Sequence, residues 1–486
     1  MHQQNSNTQH PYRMPHKLTC DPAEIEGGVS MELVDKYIDK HEQFVRRYRY
    51  LTDMFLGFHD IYNGPEKEEW KPDNRIAVNF PKYLVTTFEG YAYGLPPKIT
   101  HPDDRINEEM QGFLDRNSFA DTFSELTKYS SIEGHAWAYL YQDEDAETRL
   151  TFFKPDNLFC VYDDSVVNRA LFYVRYGYRD PDSDHPGEKY GEVVTPNEIR
   201  RFSGDSFVGD PQINPYGMLN VVECRMNDER TSLFEDVCGM TELYDRTLSE
   251  KGNDVDAFAE AYLAIIGTEV DDEGVRRIRD DRIINIYGTD DADEVKNSVV
   301  EFLQKPTADS TQENLLDRLE KMIFQISMVA NISDESFGNA TSGVAIGYKL
   351  WATSNLGTTF DNKNRKTIQK IFKIWCSLAK NCPKPDAWKD LNIKFYRNTP
   401  NNISEEVANA RDISGVVSQH TQLSLLSFVD DPDKEIERMQ KEDEDKAKNL
   451  DIYGDLKAAA GLAENGEQDD QGKDDQQDVT DEKQEQ

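Results

Sequence analysis

The spacing of apolar residues changes character twice along this chain, and that change limits what it can fold into. Helical spacing runs to about Glu133, aromatic and β-branched residues separated by Asp, Pro and Gly dominate from His135 to Phe202, and helical spacing then returns for most of the remainder. The pattern reads as α+β. Helices are expected over Met31–Phe58 and Ile106–Glu133. Between them, within Asn74–Ile99, Pro81 suits a first helical turn, Leu84, Val85, Phe88 and Tyr91 mark one face, and Gly94, Pro96 and Pro97 stop it. Strands are expected at His135–Tyr141, Arg149–Phe153, Leu158–Tyr162, Arg169–Tyr178 and Gly191–Phe202.

Two helical stretches then bracket a charged insert. The first, Ser232–Tyr262, carries Leu233, Val237, Met240, Tyr244 and Leu248 on one face, and Gly252, Asn253 and Asp254 weaken its middle. The insert spans Gly267–Pro306. The second helix opens with a capping box from Ser310 and Glu313 and shows Leu315, Leu316, Leu319, Met322, Ile323, Ile326 and Val329, a stripe broader than one antiparallel partner can cover. A polar loop, Ser333–Ser342, precedes helical spacing over Gly343–Asn381, a strand at Asn392–Tyr396 and a last helical module over Ser404–Lys448. Residues 1–30 are polar without period and read as a flexible arm, and the residues after Gly461 read as disordered.

Charge removes several functions. There are 92 acids against 55 bases, for a net charge of -37; residues 461–486, with ten acids and two bases, supply -8 of it, so the remainder is itself acidic at -29. A free-standing protein gripping nucleic acid by counterion release is disfavoured. The longest apolar run, Ala261–Gly267, is far too short to span a bilayer, and no secretory signal core is seen in Met1–Asp21, so no membrane partner is expected. The six cysteines lie apart without a CxxC pair and read as reduced thiols. At 486 residues, roughly two to four modules are expected.

Catalytic patterns fail at their essential positions. Gly338 and Gly343 have phosphate-loop spacing, but Val344 and Ala345 stand where Lys and Ser or Thr are needed. The nine histidines show no HExxH spacing, and no GxSxG elbow precedes a helix. Asp143, Asp145 and Glu147 alternate like calcium ligands without the glycine and distal Glu that close such a loop, and read as a solvated turn. Consecutive acids at Glu442–Asp445 point to different helix faces. No catalytic residue, metal or cofactor is therefore expected. Arg276, Arg277, Arg279 and Arg282 form the densest basic cluster, among many acids, and suit either salt bridging or phosphate contact.

Five stretches in order carry a resemblance. They are NRIAVNFPKYLVTTFEGYAYGLPPKI at Asn74–Ile99, FFKPDNLFCVY at Phe152–Tyr162, the helix and AYLAIIG of Leu233–Gly267, SDESFGNATSGVAIGYKL at Ser333–Leu350, and Val417–Glu442. Over about Met31–Asp451 the chain resembles the portal proteins of tailed bacteriophages, in the branch found in long-tailed phages of Gram-positive bacteria. It departs from them in the arm, in the hydrophilic piece Asp180–Gly191 and in the acidic tail.

The resemblance implies a portal fold and a ring, usually of twelve subunits, at one capsid vertex. Its parts would be a flexible arm (1–30), a mixed α/β wing (31–231), a stem of two helices (232–262 and 307–332), a small α/β clip (263–306), a tunnel loop (333–342), a long kinked helix with a wing return strand (343–403), a helical crown (404–455) and a disordered acidic tail (456–486). It also implies that double-stranded DNA passes through the channel, packaged by the terminase large subunit and later ejected, with no hydrolysis by the portal itself. Head completion or adaptor proteins, the tail, and the major capsid and scaffolding proteins are the other implied partners, in the virion and in the host cytoplasm during assembly. Phe337, Asn339, Thr341 and Ser342 are expected to line the narrowest point, and Arg276, Arg277, Arg279 and Arg282 to sit where motor or adaptor docks. The rival reading is an acidic cytoplasmic scaffold or binding protein without a channel.

Overall fold

The computed structural model describes residues 16–68, 71–180, 187–259, 263–266, 299–302, 309–333, 343–399, 403–426, 428–429 and 432–446. They belong to two units, divided after Asn398.

The first unit is built on two sheets. The larger has the order β1 (Leu18–Cys20), β5 (Leu158–Asp163), β6 (Ala170–Tyr178), β7 (Lys189–Val194), β8 (Glu198–Ser203), β9 (Ser206–Ile213), with β1 parallel to β5 and all other pairs antiparallel. The smaller is β10 (Val221–Arg225), β3 (His135–Gln142), β4 (Thr148–Phe153), antiparallel throughout. Trp137 and Val221 of the smaller sheet share a core with Leu158, Cys160, Tyr173 and Val194 of the larger.

Helix α1 (Met31–Leu56) starts at Ser30, whose Oγ accepts from the Leu33 N–H at 3.2 Å, and ends at Gly57 in the left-handed region at φ 92°. Its buried row, with Val34, Tyr37, Ile38, Phe44 and Tyr48, packs with Phe159, Val161, Phe172 and Val174 of the larger sheet. The other core gathers α2 (Phe80–Tyr93), α3 (Asp104–Arg116), α4 (Phe119–Glu133) and the long helix α8 (Trp351–Cys376) with the smaller sheet.

Several expectations are corrected. The flexible arm expected over residues 1–30 is interrupted: Leu18–Cys20 is a strand whose alternation buries Leu18 and Cys20, and the Tyr37 hydroxyl donates to the Thr19 carbonyl at 2.6 Å. The single helix expected over Ile106–Glu133 is two, because Ser118 takes φ 45° and the buried Asn117 amide closes the end of α3 while bonding β4: Nδ2 donates to the Phe113 and Thr148 carbonyls, and Oδ1 accepts from the Leu150 N–H. Gly191–Phe202 is likewise two strands with a turn closed by the Thr195 N–H on the Glu198 carbonyl. Strands β9 and β10, with Lys98–Thr100 and Val299–Phe302, lie outside the expected set; β9 contains Gly209 and Pro211, which an exposed sheet edge tolerates.

The helix pair is α5 (Cys238–Ala259), preceded by a 3₁₀ turn at Glu235–Val237, and α6 (Asp309–Ser327). Strands β11 (Leu263–Ile266) and β12 (Val299–Phe302) pair antiparallel, Ile266 opposite Val299. Further on, α7 (Gly343–Lys349) and α8 are separated at Leu350, and β13 (Asn392–Lys394) pairs with β2 (Lys98–Thr100). The second unit contains α9 (Ile403–Asp412), α10 (Gln419–Leu423) and a helix over 432–446. Within it the Gln422 side chain donates to the Ala410 carbonyl at 2.9 Å.

Candidate functional site

Phe337, Asn339, Thr341 and Ser342, and likewise Arg276, Arg277, Arg279 and Arg282, lie outside the described residues. What the structure does show is how the elements on either side of them are held. The β11–β12 pairing sets Ile266 opposite Val299, so the two residues that flank 267–298 lie side by side. On the other side, Met328 ends the turn after α6 at φ 59°, and the buried Thr353 hydroxyl on α8 donates to the Met328 carbonyl at 2.9 Å while accepting from the Ala330 N–H at 3.1 Å. One threonine thus pins the start of the segment that leads into 334–342.

Helix α5 is anchored along its length by polar side chains that interrupt its apolar stripe. Asp245 Oδ1 accepts from the Val78 N–H at 2.7 Å, Ser249 Oγ from the Ile76 N–H at 2.9 Å, and Asn253 Oδ1 from the Asn74 N–H at 2.6 Å. Two residues of extended chain advance about 6.7 Å and four residues of helix about 6 Å, so the two ladders stay in step while running antiparallel. Gly252 sits beside this seam, where an added Cβ would lie 3.5 Å from Ile76 and 3.7 Å from Asn74. Of the residues read from sequence as a weak middle, Asn253 belongs to a polar zipper with Asp245 and Ser249, and Gly252 lies beside it. The signal that could have found it is Asp245, Ser249 and Asn253 at i, i+4 and i+8 opposite backbone donors at every second residue of 74–78.

Buried charges tie the base of α5 to α1 and α4. Arg47, fully buried, donates from Nε to Glu235 Oε1 at 2.7 Å, from Nη2 to Glu235 Oε2 and to the Arg230 carbonyl, and from Nη1 to the Glu133 carbonyl. Glu235 also accepts from the Ser232 N–H, closing a capping-box contact ahead of α5. His59 is buried between Asp245, 2.5 Å from Nδ1, and the Met54 carbonyl, 3.1 Å from Nε2. Burial alone would lower its pKa, but the Asp245 carboxylate outweighs that and holds it above the ordinary value. Burial also opposes charge on Glu223, yet the Arg230 guanidinium at 2.6 Å and nearby His135 bring its pKa down to about 2.

Helix α6 divides its apolar residues between two faces. Leu316, Leu319 and Ile323 are buried, whereas Leu315, Met322 and Ile326 are 38%, 36% and 44% exposed. At 3.6 residues per turn the two rows lie about 70° apart around the helix, so one's own chain covers only one side of the stripe. Phe324 of α6 and Tyr244 of α5 both meet the ring of Phe80, at 6.1 and 5.0 Å, which joins the helix pair to α2.

The expected solvated turn at Asp143 is an Asx turn between β3 and β4. Asp143 Oδ1 accepts from the N–H groups of Asp145 and Glu147, and Oδ2 from Arg149 at 2.6 Å, so its lone pairs are used by the chain itself. Among the described residues no group of three or more His, Cys, Asp and Glu is placed to hold a metal ion, and no helix is long and apolar enough to cross a membrane.

The family model for phage portal proteins, SPP1 Gp6-like, matches residues 34–449. The portal protein of Bacillus phage SPP1 is 21% identical over 442 residues, covering 84% of this chain and 86% of that protein. A chain from the neck of a native GTA particle computed with C12 symmetry matches with TM-score 0.43 and 11% identity, covering 71% of this chain and 89% of its own. The chain thus belongs to the SPP1 Gp6-like family of phage portal proteins, structural and non-enzymatic components of the capsid vertex.

Proposed function

We propose that this chain assembles into a closed ring, of twelve copies by its resemblance to other portals, around an axial channel through which double-stranded DNA is packaged by the terminase large subunit and later ejected. The helix pair α5–α6 is the stem, residues 263–306 are the clip on which motor and then adaptor or head completion proteins dock, and residues 333–342 narrow the channel. Capsid and scaffolding proteins surround the ring, which forms in the host cytoplasm and ends in the virion. The observation that carries the ring is the uncovered row Leu315, Met322 and Ile326 on α6. A second copy is the natural cover for it, since a neighbour around a rotation axis presents a different helix face to the same row.

An acidic wall suits transit: phosphates that are repelled slide, whereas each favourable phosphate contact would slow passage. Phe337, Asn339, Thr341 and Ser342 then touch DNA without gripping it, and Arg276, Arg277, Arg279 and Arg282 face the docked partner. Mass photometry or negative-stain microscopy of the purified chain across a salt series tests the ring directly. Closed rings with a central hole are expected; a strict monomer in every condition, with capsid and scaffolding partners included, would return the chain to an acidic scaffold without a channel. Deleting residues 338–341 should leave rings intact and impair packaging, and unchanged packaging would remove the tunnel-loop role.

A further inference from the structure

Helix α8 carries Lys363, Lys366 and Lys370 at spacings of three and four, which puts them on one face, while Asn364, Thr367, Ile368 and Ile371 are buried on the other. Thr367 reaches the Glu223 carbonyl of β10 at 3.3 Å, so the lysine face borders the end of that strand and adds Arg225 to the group. Among the described residues, two carboxylates serve these bases. Asp228 is taken by Lys363 at 2.6 Å and by Arg225 at 3.4 Å, and Glu223 is buried against Arg230. Lys366 and Lys370 are exposed and make no ion pair among the described residues. In a chain with 92 acids against 55 bases, two exposed lysines without an ion pair among the described residues, beside an arginine, form a local reversal of sign. The collection is costly: Lys370 is exposed to solvent on one side, but the protein packed around its other side first, and then Arg225, depress its pKa.

We propose that this basic face, centred on Lys366 and Lys370 with Arg225, is a contact between copies in the ring, receiving an acidic surface of the neighbouring subunit. The proposal rests on the ring reading above. Copies that each carry -37 repel one another, and an interface between them needs a place where the sign is reversed. A ring around a single axis joins two different patches of the same chain, so a basic patch on one copy meets an acidic one on the next. Nucleic acid is the competing occupant, since phosphates have the same charge.

The test is the salt dependence of ring formation, read by mass photometry, for the wild type, Lys366→Glu/Lys370→Glu, Lys366→Ala/Lys370→Ala, and a control with the same change in net charge elsewhere, Lys380→Glu/Lys389→Glu. All four positions are exposed lysines, and thermal unfolding checks that each variant folds. The salt needed for half-maximal ring formation should rise about twofold or more for the Glu pair, less for the Ala pair, and least for the control. Equal shifts for the Glu pair and the control would overturn the proposal. So would rings that form as in the wild type while association with a labelled duplex is lost, an outcome that assigns the face to DNA. If the wild type makes no rings at any salt, the ring reading fails first and this contact with it.

Discussion

Both ring nitrogens of His59 face acceptors, the Asp245 carboxylate and the Met54 carbonyl, and only the doubly protonated imidazolium donates to both. His59→Gln should therefore strand a buried carboxylate and cost about 3–5 kcal/mol in a urea unfolding experiment; a loss below about 1 kcal/mol would mean the pair is neutral. Glu133 titrates in the opposite setting. Burial and then the neighbouring Asp156 push its pKa up to about 8, and one of its oxygens, Oε2, has no hydrogen-bond partner among the described residues. Because the folded carboxyl holds its proton more tightly than the unfolded one, stability is full below the unfolded value of 4.5 and declines as pH rises toward 8. His59, with its folded pKa raised, likewise loses its contribution as pH climbs above its unfolded value. The thermal midpoint should accordingly fall between pH 6 and pH 9 by an amount that Glu133→Gln reduces; an identical pH profile for that variant would contradict the assignment.

At the scale of elements, the seam between α5 and residues 74–78 explains why a long helix contains glycine, asparagine and aspartate. Removing one acceptor, as in Ser249→Ala, leaves the Ile76 N–H without its partner and should cost about 1–2 kcal/mol. Gly252 is different: a Cβ there meets only ordinary contacts, so Gly252→Ala should raise stability by about 0.5–1 kcal/mol through helix propensity. Chemical denaturation of the two variants separates these opposite signs, and a destabilised Gly252→Ala would show the seam to be tighter than described. Helix existence was legible here from the spacing of Met240, Tyr244 and Leu248, because period alone reports a packed face, although the expected start at Ser232 gives way to a turn before Cys238. The break at Asn117 and Ser118 was not, since it depends on the Thr148 carbonyl and Leu150 N–H, which reach Asn117 from another element.

For the whole molecule, the split stripe of α6 predicts a separation between folding and assembly. Met322→Glu together with Ile326→Glu should abolish rings while leaving the thermal midpoint of the unassembled chain within a few degrees of the wild type, because both side chains are already partly in water. Mass photometry beside differential scanning fluorimetry reads both at once; rings persisting with the double substitution would place the subunit contact elsewhere. Assembly should also strengthen with salt, as screening weakens repulsion between copies of charge -37.

The sequence by itself determined the α+β order, the helix pair around a charged insert, the absence of catalytic spacing and the portal resemblance, all of which rest on local period, residue type and order along the chain. Tertiary structure alone decided which apolar residues on α6 remain uncovered, that Leu18–Cys20 joins a sheet, and that Asp245, Ser249 and Asn253 receive the N–H groups of Val78, Ile76 and Asn74. Those facts depend on pairs separated by well over a hundred residues, and a local pattern reports only that a face is buried, not what buries it.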